Sequence, residues 1–214
     1  MNFRRRMLVA ALGLAPLAAT AQARRPEAGV DFSELRPQQP VEAKGKVEVL
    51  EFFWYGCPHC YSLQPLIEKW VAQLPADVEY RRVPAVFNEN WARDAAIFYT
   101  LEALGALERL HRPFFDAIHR DRLSTGDPVS RNDWLQKNGV DVQRFEEAFK
   151  SFGVQTKVRR AQQLSVAYRI DGTPALAVHG RYTISAEQAR TQARMLSIAD
   201  YLVAVVRKDG VSTG

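Results

Sequence analysis

The chain has 214 residues, 47% of them apolar and 25% charged, which suits a folded domain with a sizeable core and excludes a disordered chain. Its formal net charge of +5 is concentrated at one end. Arg4, Arg5 and Arg6 fall in the first 23 residues, which hold no acid, and the rest carries 26 basic residues against 24 acidic ones, or +2. So small an excess, scattered along the chain, argues against a nucleic-acid partner.

Residues 1–23 read as an export signal. A basic start is followed by an apolar stretch over residues 7–17 and by Ala21-Gln22-Ala23, a small-x-small cleavage site. The apolar stretch is shorter than the roughly 20 residues that span a bilayer, so cleavage is expected in place of anchoring. Arg5-Arg6-Met7-Leu8-Val9 also resembles a twin-arginine signal loosely. The mature protein is expected to be soluble, exported and in a compartment that permits disulfides.

Residues 24–45, with Pro26, Pro37 and Pro40, form a polar lead-in with a short edge strand near residues 30–35. Residues 47–55 are β-branched, aromatic or leucine except for Glu48 and Glu51, and predict a buried central strand. Leu63, Leu66, Ile67, Trp70, Val71 and Leu74 then recur at helical spacing up to Pro75, and residues 78–87 predict a second strand.

From residue 91 to 149 the pattern is helical throughout. Phe98 and Leu101 mark one helix, and Leu107 and Leu110 the next. Pro113 is expected to open another that carries Phe114 and Ile118. Asn138-Gly139 is a stop, and Asp141 a cap for the helix that follows. Helical spacing continues from Val154 to Tyr168. A hairpin follows over residues 175–184 with Gly180 at its turn, and a closing helix over residues 187–206 buries Met195, Ile198, Leu202 and Val205. The order predicts an α/β unit, residues 46–87 and 153–210, interrupted by an all-helical insert over residues 88–152.

The chain has two cysteines, Cys57 and Cys60, in "EFFWYGCPHCYSLQP". Cys57 ends the apolar strand and opens a helix. Unpaired N–H groups and the positive end of the helix dipole there favour a thiolate. Pro58 suits the first turn, where a missing N–H costs nothing. His59 can turn a hydrogen bond or a positive charge towards the Cys57 sulfur. Cys60, one turn on, can close a disulfide. Cys57 is therefore expected to be the exposed, acidic thiol and Cys60 the less exposed one with the higher pKa. A structural disulfide would close a very short loop, which stabilises little. A zinc site normally takes four ligands, and His111, His119 and His179 show no ligand spacing. Redox chemistry is the reading the context favours.

"CPHC" after "EFFWYG", with "GTPALAV" far downstream, resembles the DsbA family of periplasmic thiol–disulfide oxidoreductases over nearly the whole mature chain. The resemblance implies a thioredoxin fold with an inserted all-helical domain. It implies donation of the Cys57–Cys60 disulfide to newly exported, reduced proteins in the periplasm, with no cofactor beyond that disulfide. It also implies reoxidation by a DsbB-like membrane quinone reductase. A monomer is expected. Pro174 would be cis and face the dithiol, and Thr173 would offer its backbone to an extended substrate. Threonine stands where the enterobacterial pattern has valine. It is also typical of the isomerases DsbC and DsbG, which carry a separate dimerisation domain where this chain has only about 22 residues. Two alternatives stay open: an isomerase or reductase on the same fold, and an exported dithiol binding module acting as chaperone or metal carrier.

Glu51 has two readings, a side chain reaching solvent at a strand edge or a carboxylate buried under the dithiol and paired with Arg82 or Arg81. Phe52, Phe53, Trp54 and Tyr55 are mostly core by position. One or two of them, with Phe87 and Trp91, are candidates for an apolar surface beside Cys57.

Overall fold

The computed structural model describes residues 24–210, so the expected leader lies outside the described residues. In chain order the elements are β1 (Ser33–Glu34), β2 (Val47–Phe53), α1 (Pro58–Val71), β3 (Val78–Pro84), α2 (Glu89–Ala103), α3 (Leu107–His119), α4 (Pro128–Lys137), α5 (Val142–Phe149), α6 (Phe152–Ala167), β4 (Ala175–Val178), β5 (Tyr182–Ser185), α7 (Ala186–Ala189) and α8 (Gln192–Asp209). The sheet order is β1-β5-β4-β2-β3.

β2 is the axis of the molecule. All seven of its residues are buried, as the run of Val, Leu and Phe requires. It pairs in parallel with β3 and antiparallel with β4. Alternation divides its side chains between two layers. Val47 and Val49 meet α1 and α8, where Leu63, Ile67, Met195, Ile198 and Leu202 are buried with them. Leu50 and Phe52 meet α2 and α6 through Ala95, Ala96, Val154, Val158 and Ala161. Each such aliphatic side chain contributes roughly 1.5–3 kcal/mol by leaving water. This is a thioredoxin-like α/β sheet, with α2–α5 as the inserted helices between β3 and α6. Phe53, Tyr55, Cys57 and Cys60 belong to the core of that insert, beside Phe98, Leu110, Phe114 and Phe115. The dithiol therefore sits where the two parts meet.

Three expectations need correction. Pro113 lies inside α3 and opens nothing. It is exposed, as is Arg109, whose carbonyl loses its intrahelical donor. Pro65 is likewise accommodated on the outer side of α1. The closing helix is two helices. A capping box between Ser185 and Gln188 completes α7, Arg190 takes a positive φ of 64°, and Thr191 caps α8. On α8 the buried residue is Val206, and Val205 is only partly covered. The hairpin forms as expected. Gly180 has φ 63°, and a Cβ there would stand 2.0 Å from the Gln39 carbonyl oxygen. Glycine is thus what lets the lead-in cross the turn.

His111 is 3% exposed. It shares a 2.9 Å hydrogen bond with the Tyr55 hydroxyl through Nδ1, and its Nε2 has no partner. Burial, and then Arg82 and Arg112, hold its pKa well below 6.5. A histidine that stays neutral when folded but charges when unfolded stabilises fully above the unfolded pKa and loses that contribution as the pH falls. Denaturation midpoints measured from pH 7 to pH 5 should therefore decline below about 6.5, this one proton contributing up to about 1.4 kcal/mol per pH unit. His111→Phe should be flatter by that slope, and equal slopes in the two proteins would refute the assignment.

Candidate active site

Cys57 occupies the N-cap of α1 with extended backbone, φ −82° and ψ 116°, and its sulfur accepts the Cys60 N–H at 3.3 Å. Serine or aspartate usually fills this role. Here a cysteine sulfur does, and Pro58 at the first helical position needs no partner. The turn that delivers Cys57 requires Gly56, because a Cβ there would lie 2.3 Å from the Trp54 ring.

The Cys57 sulfur accepts the backbone N–H of Cys60, and the Cys60 thiol, the Thr173 hydroxyl and the backbone N–H of His59 lie near enough to favour its thiolate. The Cys60 thiol has the largest effect. Burial opposes all of them, and the net result lowers the Cys57 pKa from 9.0 to about 5. Cys60 goes the other way. Burial first, and then its neighbour Cys57, raise its thiol well above the usual value. Both cysteines are free thiols.

Cys57 is the more accessible of the two but is not exposed as expected, showing 6% of its surface against 0% for Cys60. The loop before β4 accounts for the difference. Its Thr173–Pro174 bond is cis, and the Thr173 carbonyl oxygen lies 3.3 Å from the Cys57 sulfur. As a thiol Cys57 donates to that oxygen. As a thiolate it relies on the donors named above.

His59 is exposed. Its carbonyl accepts from the Ser62 hydroxyl and from Gln192 Nε2 at 3.1 and 3.0 Å, which ties α8 to the first turn of α1. Its contribution to the low Cys57 pKa comes through its backbone N–H. No hydrogen bond from its imidazole to Cys57 exists among the described residues.

Glu51 is fully buried, which removes the solvent-facing reading. β2 is central, and residue 51 points under α1. Its carboxylate accepts from the Tyr80 hydroxyl and from Gln64 Nε2. Arg82 Nε stands 3.8 Å away as an ion pair without a hydrogen bond. Arg81 serves Glu48 on the opposite face of the strand. Burial raises the Glu51 pKa, and Tyr80, Arg82 and Gln64 only partly offset it. Gln64 also reaches the Cys60 carbonyl at 3.5 Å, so it links the buried acid to the backbone of the inner cysteine.

Tyr80 and Gln64 escape a reading of the sequence alone. Tyr80 follows only once the parallel register pairs Val49 with Tyr80 and Glu51 with Arg82. Gln64 leaves a faint trace, a glutamine four residues after Cys60 among the apolar positions of the helix. Phe53 and Tyr55 are core. Trp54 stacks on Trp91 at 4.4 Å, and Trp91 packs tilted against Phe87 at 4.6 Å. Asp94 fixes Trp54 through a 2.7 Å bond to its indole N–H. Phe87, 42% exposed, completes an apolar shelf. Among the described residues, no group of three or more His, Cys, Asp or Glu side chains is arranged to hold a metal ion, and no helix is long and apolar enough to cross a membrane.

Residues 76–197 match the family model of the DSBA-like thioredoxin domain. The thiol:disulfide interchange protein DsbA of Azotobacter vinelandii is 41% identical over 82% of this chain and 82% of its own length. DsbA of Pseudomonas aeruginosa is 38% identical over 92% and 94%. The crystal structure of Pseudomonas aeruginosa DsbA superposes with a TM-score of 0.82 at 37% identity, covering 86% of this chain and 96% of that one.

In the Cys60→Ser variant, thiolate absorbance should titrate Cys57 far below the free-thiol value of about 8.5. Adding Thr173→Val removes one donor and should raise that pKa by up to about one unit. A value at or above 8.5 in the single variant, or no change on the second substitution, would contradict the geometry described.

Proposed function

The chain belongs to the DsbA family and is a protein thiol–disulfide oxidoreductase, and from that premise we propose that it acts as the disulfide donor for newly exported, reduced proteins in the periplasm. The observation that carries this reading is the opposite pull on its two thiols, Cys57 down to about 5 and Cys60 up. A stabilised Cys57 thiolate favours the reduced enzyme and makes the oxidised one ready to give its disulfide away.

In the oxidised enzyme a substrate thiolate attacks the Cys57 sulfur. The Cys57–Cys60 bond breaks, its electron pair goes to Cys60 sulfur, and that sulfur takes up a proton. A second substrate thiolate then attacks the substrate sulfur of the mixed disulfide. The new substrate disulfide leaves, and Cys57 departs as a thiolate. Two electrons pass from substrate to enzyme, and the enzyme must be reoxidised. A DsbB-like membrane quinone reductase is the partner proposed for that, with no cofactor on this chain beyond its own disulfide.

Pro58 shapes the first helical turn, and His59 supplies an N–H to the sulfur. Glu51, its pKa held up by burial, is proposed to supply or modulate the proton at Cys60. Thr173 would pair its backbone with an extended substrate segment. Pro174 has no N–H to leave unpaired beside the reactive sulfurs. We take the protein to act as a monomer with residues 88–152 as its insert, exported by a leader cleaved after Ala23.

Cys57 has a depressed folded pKa, so its contribution to the stability of the reduced form is present above the unfolded value and vanishes as the pH falls through about 5. At pH 7 it is worth roughly 3 kcal/mol. The reduced protein should therefore melt above the oxidised one at pH 7, and the gap should close towards pH 5. Calorimetry of both forms tests this, beside an assay in which oxidised protein is mixed with a reduced two-cysteine peptide. An oxidised form that is the more stable, or activity confined to reshuffling a scrambled substrate, would reject the donor role.

A further inference from the structure

A cavity of about 200 Å³ adjoins the dithiol, lined by His59, Pro174, Ala186, Arg190, Thr191, Gln192 and Met195. It lies where the chain breaks between α7 and α8. Met195 is buried and Gln192 is tied to the carbonyl of His59 and the hydroxyl of Ser62, so floor and wall are fixed. Arg190 is exposed on its rim.

Two features set Arg190 apart. Its φ is 64° with ψ −32°, a backbone region costly for any residue with a Cβ and held only where neighbours over-determine it. The capping box on one side and the Thr191 cap on the other do so here. A glycine would be the easier choice, yet the position carries a long cation. The other arginines from the β4–β5 turn to the end of α8 are all engaged: Arg181 with Asp209, Arg194 with Asp31, and Arg207 with Asp77, at 2.6–2.7 Å. Arg190 has no carboxylate within ion-pair distance among the described residues. It offers an uncompensated positive charge to whatever enters a cavity that also touches Pro174.

We infer that Arg190 is a specificity residue, selecting cysteine-bearing segments that carry an aspartate or glutamate within about two residues of the reacting cysteine. The inference rests on the donor reading above and adds the chemistry of the substrate segment. An extended segment paired along Thr173 advances about 3.3 Å per residue. The cavity flanks Pro174, so a side chain one or two positions from the reacting sulfur is the one that falls into it. The cavity is too small for more than one or two side chains. A carboxylate there meets the guanidinium, which can hold it through two parallel hydrogen bonds. A lysine meets repulsion.

The test uses reduced peptides that differ only in the residue two positions before or after the cysteine: Glu, Gln or Lys. Rates of disulfide transfer from the oxidised full-length mature protein are compared with those of Arg190→Gln, Arg190→Lys and Arg190→Glu. An exposed charge pair of this kind supports a preference of about two- to fivefold for Glu over Gln, with Lys slower still. Arg190→Lys should keep the order, Arg190→Gln should level it, and Arg190→Glu should invert it. Salt at about 1 M should erase it, because screening then acts within about 3 Å. The salt dependence and Arg190→Lys carry the test even if a charge-removing variant folds poorly. Equal rates with all three peptides, or a preference that survives in folded Arg190→Gln, overturns the role of Arg190 and leaves the donor reading intact. Transfer to no peptide at all overturns both.

Discussion

The constraint on which the structure depends is a negative sulfur held almost out of water. Cys57 shows only 6% of its surface, yet its pKa is lowered from 9.0 to about 5, which corresponds to roughly 5 kcal/mol of preference for the charged form. Burial works against that preference, so fixed donors must more than repay it. They come from separate parts of the chain: the first turn of α1, the inner cysteine, and the threonine before β4. Each must arrive at one point. That requirement calls for the loop that brings residue 173 to the sulfur across 116 residues of sequence.

The insert serves the same point from the other side. Tyr55, two residues before Cys57, is locked by His111 at its hydroxyl and by His119 Nε2 at its carbonyl, 2.8 Å away. Its ring meets Phe114 and Phe115 edge-on. The backbone that carries the reactive sulfur is therefore clamped by α3 as well as by the sheet. Without the insert, Phe53, Tyr55 and Cys60 would lose most of the apolar wall they share with Phe98, Leu110 and Phe115.

How much of this was legible follows from where each cause resides. The dithiol, its helix start and the proline loop are local patterns, and the sequence shows them directly. The strand–helix order was readable because β2 and α1 have strong, different periods. Pro113 misled because a proline reads as a boundary, whereas its ring here faces water and costs one intrahelical hydrogen bond. The α7–α8 break was hidden because Arg190 gives no hint of a positive φ, a position where glycine or asparagine is the usual signal. Glu51 could be named but not placed. Whether it reaches solvent depends on which strands flank β2, and its partner Tyr80 depends on register. The exposure of Cys57 failed for a similar reason, since the covering residue lies on the far side of the insert.

The two thiols are asymmetric in a way that assigns different work to their surroundings. A thiol of low pKa is a good leaving group, and one of high pKa is a poor one. The second exchange step, in which Cys57 leaves, is helped by the groups that stabilise its thiolate. The first step expels Cys60, buried and with its pKa driven up, and needs a proton in a place that water does not enter. Glu51 is the buried acid on that side, joined through Gln64 to the backbone of Cys60, and burial raises its pKa, which is why the proton supply is proposed for it. Tyr80 and Arg82 moderate that rise. On the proposed reading, one cysteine thus works through charge stabilisation at a helix end and the other through proton supply beneath it. The single turn of α1 between them keeps the two environments apart while the sulfurs remain neighbours.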